Sequence, residues 1–182
     1  MEGYPYEEPE KFVALLLAGV MAMVLLTACS GGGNAVDTEK ENAIRAQLGN
    51  KDEAASLRDK DGMVTNDTNL YKETAKLLDA RIRTEANSNM LGYLAVKFDT
   101  KGIETKEEYV TVTLSADYKT AGLVAGLITK ITEKFGEIEA TNSNVKFDSE
   151  WAKVAVVVRT NEKGDSYAAI AIRVKNIAYK GK

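Results

Sequence analysis

Cys29 is the single cysteine of this 182-residue chain, and it directly follows the uncharged run Phe12–Ala28, FVALLLAGVMAMVLLTA. One thiol excludes an intrachain disulfide, so an exported domain must stand on its packing. The chain has no histidine. Ser-His-Asp and Cys-His catalysis are therefore impossible. The commonest general base near neutral pH and the commonest zinc ligand are both missing. Carboxylates remain, and a glycosidase needs only two of them. Asp99, Glu104, Glu107, Glu108, Asp148, Glu150 and Asp165 fall in predicted loops or strand ends, and no spacing singles out a pair. No catalytic residue is assigned. Tyrosines offer flat apolar surface with a polar edge. Tyr93, Tyr109 and Tyr167 share one sheet face if the strand registers agree, which makes them the candidate ligand-binding residues; Trp151 and Tyr179 are the other aromatics considered.

Two further patterns read as structure. Asp59-Lys60-Asp61-Gly62 has part of a calcium loop, but Leu57 stands at the first ligand position and Thr68 at the last. It is predicted to be a solvated turn, and no metal or cofactor is expected. Gly122 and Gly126 form a small-xxx-small pair on a helix that also carries Lys119, Lys130 and Lys134, so the helix is no membrane span. The expectation is that these glycines let the helix approach the sheet closely.

The apolar run has Lys11 before it and small residues at its end, the features of a signal peptide. Its tail, Leu26-Thr27-Ala28-Cys29, resembles the lipobox of bacterial lipoproteins, a likeness confined to about the first 33 residues. The resemblance implies that the Cys29 thiol receives a diacylglycerol, that signal peptidase II cuts before it, and that fatty acyl chains such as palmitate hold the protein on the extracytoplasmic face of the cell membrane. Residues 1–10, MEGYPYEEPE, carry four acids where a signal peptide begins positive. They are read as lying upstream of a natural start near Lys11.

Residues 1–28 hold four of the 27 acids and one of the 24 bases, so 23 of each remain in the 154 residues that follow. A neutral balance argues against a nucleic-acid partner, which needs a basic face for phosphate. The lipid must supply the membrane affinity. That length fits one domain. The expected organisation is a signal peptide over 1–28, a lipidated cysteine and flexible tether over 29–37, and one globular domain over 38–182.

Periodicity predicts the elements that position these residues. Helices are expected over Thr38–Leu48, over Leu70–Ile82, and over Tyr118–Phe135 with Gly136 as its C-terminal glycine. Strands are expected over Leu91–Phe98, Tyr109–Leu114, a short piece at Val145–Phe147, Trp151–Thr160 and Tyr167–Val174, with turns at Asp99–Gly102 and Asn161–Asp165. The order is α-β-β-α-β-β-β after a short N-terminal helical segment. The expectation is an α+β fold, an antiparallel sheet of about five strands with helices on one face. This element order is similar to that of roadblock/longin-type domains, and the likeness implies no function here. Val154, Val156 and Val158 are expected to face the helices with Leu127, Ile131 and Ile170, and Ala155 and Val157 to lie opposite.

The function expected is a non-enzymatic binding or interaction module at the cell envelope, for an envelope protein, a peptide or a glycan. The alternatives are a carboxylate-dependent cell-wall or glycan hydrolase and a structural envelope component. The oligomeric state is left open.

Overall fold

The computed structural model describes residues 34–88, 92–104, 107–121 and 124–181. The fold is α+β around one five-stranded antiparallel sheet. Its elements are β1 (Asn34–Val36), α1 (Thr38–Gly49), α2 (Thr68–Arg81), β2 (Lys97–Lys101), β3 (Tyr109–Asp117), α3 (Val124–Thr141), β4 (Phe147–Asn161) and β5 (Ser166–Asn176). A 3-10 helix, Asp52–Leu57, follows α1, a π-helical turn, Ile82–Ala86, extends α2, and one helical turn, Tyr118–Ala121, precedes α3. The strand order is β1-β4-β5-β3-β2.

Local chemistry sets the helix starts. Asp37 accepts from the Lys40 amide at 3.1 Å and caps α1. Asp67 accepts from the Asn69 and Leu70 amides at 3.2 and 2.9 Å and caps α2. Each cap satisfies donors that the first helical turn leaves unpaired.

Val154, Val156 and Val158 share a core with Leu127, Ile131 and Ile170 as expected, joined by Ile44 and Leu48 of α1. The other face is covered too, which corrects the expectation of helices on one side only. Leu70 packs on Ala155 and Ala171, while Leu78 and Ile82 pack on Val157, Ala169 and Tyr167. β4 and β5 are apolar on both faces, so burying them takes a layer on each. Their alanines let α2 lie close.

Several boundaries differ from expectation. Asn34–Val36, expected in the tether, pair with Arg159–Asn161 as an edge strand. The strand expected at 91–98 lies later: β2 begins at Lys97 and takes in Asp99, Thr100 and Lys101 from the expected turn. The chain turns instead at Gly102, whose φ of +95° and contact with the Tyr109 carbonyl leave no room for a side chain. α3 runs past Gly136 because its buried stripe continues through Phe135 and Ile138. That packing outweighs the cost of about 1 kcal/mol for a mid-helix glycine. On the same helix Gly126 is exposed, with open space where a side chain would stand, so it makes no close approach to the sheet; Gly122 lies outside the described residues.

The short strand expected near Phe147 is the start of β4, joined to the rest through register shifts on either side of Trp151. Strict alternation would put Trp151 on the face of Lys153 and Ala155. The extra residue of the bulge turns it into the core of Val154 and Val174.

Candidate functional site

Cys29 and the apolar run before it lie outside the described residues. No helix among the described residues is long and apolar enough to cross a membrane. The three tyrosines do not form one surface. The registers do agree: Tyr109 opposes Lys175 and Tyr167 opposes Asp117, which puts both tyrosines on the face that α2 covers. They stand at opposite ends of β3, eight residues or about 27 Å apart. Tyr167 is fully buried, and its hydroxyl donates to the Gly92 carbonyl at 2.8 Å. Tyr109 is exposed at the strand start and Tyr93 in the loop before β2. Trp151 is buried and Tyr179 is exposed near the C-terminus. Asp59 forms the expected turn, accepting from the Asp61 and Met63 amides at 3.0 Å each.

A buried ionic group that the sequence does not advertise lies along the free edge of β4. Glu41 Oε1 accepts from the Tyr71 hydroxyl at 2.9 Å and from the Val158 amide at 3.0 Å, with Arg159 Nη1 3.9 Å away. Arg159 Nε pairs with Asp79 at 3.1 Å. Burial pushes the Glu41 carboxyl above the usual glutamate range, against the opposing pull of its hydrogen bonds and of Arg159. Burial, and then the Glu41 charge, raises the Tyr71 phenol. Burial works against the Arg159 charge, but Tyr71 and Asp79 outweigh it and hold that group above its ordinary value.

Next to this group, the Asn66 side chain occupies a strand's place. Its Oδ1 accepts from the Val156 amide at 2.8 Å and its Nδ2 donates to the Val156 carbonyl at 3.3 Å. The Asp67 amide donates to the Val154 carbonyl at 2.9 Å. β1 is too short to cover β4, and the Glu41 and Asn66 side chains with the Asp67 amide finish the work, blocking strand addition at that edge. The arrangement is structural. Across the sheet, buried Arg81 plays a similar part: it clamps Glu85 and donates to the Ser115 hydroxyl and to the Ser115 and Ala95 carbonyls. The Arg81 hydrogen bond holds the Glu85 carboxyl below its usual range.

Two of the openings among the described residues are candidate sites. The first, a groove of about 280 Å³ between α3 and the bulged start of β4, is lined by Phe135, Phe147 and Trp151 and rimmed by Glu53, Thr132 and Asp148. Phe135 and Phe147 meet edge-on, with centroids 4.8 Å apart and planes at 81°. The second, about 190 Å³, lies between α2 and β2–β3 and includes Glu73, Asp99 and Thr113. An aromatic floor with polar groups at its rim is the pattern of a pocket for a sugar or an apolar side chain. The sequence showed Trp151 as an aromatic candidate, but its partners Phe135 and Phe147 come from elements that meet only in the fold. Among the described residues, no three His, Cys, Asp or Glu side chains converge to hold a metal.

No family model, no curated protein and no solved structure matches this chain.

Proposed function

We propose that the chain is an exported lipoprotein, held on the extracytoplasmic face of the membrane by acyl chains on Cys29, and that it acts as a non-enzymatic binding module whose peptide, glycan or envelope-protein ligand docks in the Trp151 groove. The observation that carries the binding reading is the aromatic floor of that groove, where Phe135, Phe147 and Trp151 meet beneath a polar rim. The lipobox-like Leu26–Cys29 supports the anchor.

The geometry suits an anchored module. Four residues, 30–33, separate Cys29 from β1, so the anchor and the first strand residue lie at most about 18 Å apart. β1 pairs at the Arg159–Asn161 end of β4. Trp151 is eight residues from Arg159, about 27 Å along the strand. The groove therefore stands toward the end of β4 opposite the residues that pair with β1.

Trp151 is the only tryptophan, so its fluorescence reports on the groove directly. Titration with chitooligosaccharides, muropeptides and short apolar peptides is expected to shift or quench that emission for one class. No change with any of them in a folded protein would overturn the docking assignment. Radioactive fatty acid should label the wild type and leave Cys29→Ala unlabelled. Equal label in both would sink the lipoprotein reading.

Glu53 and Asp148 on the rim of the same groove favour a second reading, a carboxylate-dependent glycan hydrolase. It requires turnover of a labelled glycan that Glu53→Gln or Asp148→Asn abolishes.

A further inference from the structure

We infer that the cleft between α2 and the β2–β3 pair is a binding site for a primary alkylammonium group. It lies on the face of the sheet covered by α2, away from the Trp151 groove, and stands independently of the function proposed above. Its helix wall is Leu70, Thr74 and Leu77, and its sheet wall is Asp99, Thr111 and Thr113.

Two polar groups in this cleft have no protein partner among the described residues. Asp99 Oδ2 is buried without a hydrogen bond. Thr113, directly across the strands from Asp99, is 7 % exposed, and its hydroxyl bonds to no described residue. The other hydroxyls are occupied: Thr74 donates to the Leu70 carbonyl at 2.7 Å, and Thr111 accepts from Arg173 Nε at 2.8 Å. The nearby cations are committed as well, since Lys101 Nζ and Arg173 Nη2 each lie 3.6 Å from Glu73 Oε2. A buried acceptor left unpaired is unfavourable, and a ligand that donates to it recovers the loss.

The chemistry of the walls selects the ligand. A carboxylate oxygen and a hydroxyl call for a cationic donor. Leu70 and Leu77 call for a carbon stem. An ammonium is compact, with three N–H donors on a flexible chain, and suits both. The cleft's 190 Å³ holds about six water-sized groups at roughly 30 Å³ each. Calcium takes six to eight oxygens and finds no such set here.

The full-length chain in detergent micelles, titrated near neutral pH with n-butylammonium chloride, tests the site by calorimetry and by the NMR amide shifts of Asp99 and Thr113. Saturable binding in the millimolar range is expected, weakened at least about tenfold in Asp99→Asn and about threefold in Thr113→Val. The threonine variant keeps the wall's shape and decides the matter if Asp99→Asn fails to fold. Comparing cadaverine with a capped Gly-Lys-Gly peptide separates a free diamine from a partner's lysine side chain as the source. The proposal is overturned if the wild type shows no saturable binding, if both variants bind like the wild type, if uncharged n-butanol binds as well, or if calcium chloride gives the same shifts at lower concentration.

Discussion

Glu41 is a carboxylate without full solvation, wedged between a backbone amide, a phenol and a guanidinium. Its pKa is raised in the fold. Between the ordinary glutamate value and that raised value, the folded state keeps a proton the unfolded state has released. The glutamate's contribution is therefore full below this window and is lost as pH climbs through it. Glu41→Gln keeps Oε1 as an acceptor and removes the titration. It is expected to gain on the wild type in thermal melts as pH rises from about 4 to 8. Glu41→Ala leaves the Val158 amide and the Tyr71 hydroxyl unpaired and should cost about 1–3 kcal/mol. A Gln variant that instead loses ground with rising pH would show that the site favours the charged form. Asp67 has the opposite sign. Hydrogen bonds, led by that from the Leu70 amide, hold its carboxyl below the usual range. Its contribution is present at neutral pH and is lost on acidification through that lowered value.

At the scale of elements, β4 carries the architecture. Val156 is fully buried, pairs with Ile170 on one side and meets the Asn66 side chain on the other. Val156→Asp places an unpaired charge there, at a cost of several kcal/mol against a whole-domain stability of about 5–15 kcal/mol, and should unfold the protein. Lys153 lies on the same strand with its side chain 41 % exposed, paired with Asp67 at 2.9 Å. Lys153→Asp loses that pair and sets two acids together, so about 1 kcal/mol is expected. Thermal melts of the two variants check this, and a wild-type melt for Val156→Asp would contradict the central position of β4. The alternation of Val154, Val156 and Val158 was legible in the sequence because a period of two survives whatever the strand packs on. The layer on the opposite face was legible only as an apolar run. That pattern marks a central strand without saying what covers it.

For the whole molecule, the folded unit begins earlier than composition suggests. The glycine-rich start of 29–37 reads as a tether, yet Asn34–Val36 complete the sheet and Asp37 caps α1 while its amide donates to the Val158 carbonyl at 3.2 Å. A chain starting at Asn34 should melt cooperatively and above one starting at Thr38, which loses the edge strand and a cap worth about 1 kcal/mol. Equal melting temperatures would show that β1 adds nothing to the domain.

What the sequence determined by itself is whatever follows from local pattern: the helices beginning near Thr38 and Leu70, the strands β3 to β5, the α+β class, the exclusion of histidine chemistry, and the apolar run before Cys29. These depend on neighbours three or four residues away or on residue type alone. Tertiary structure decided the rest. Asn66 reaches a strand 90 residues on, Glu41 finds an amide 117 residues away, and a bulge turns Trp151 to the other face. The three candidate tyrosines parted because sharing a face fixes side, not distance along the strand. Both candidate clefts exist only where separate elements meet, and no periodicity within one element records which partner will lie against it.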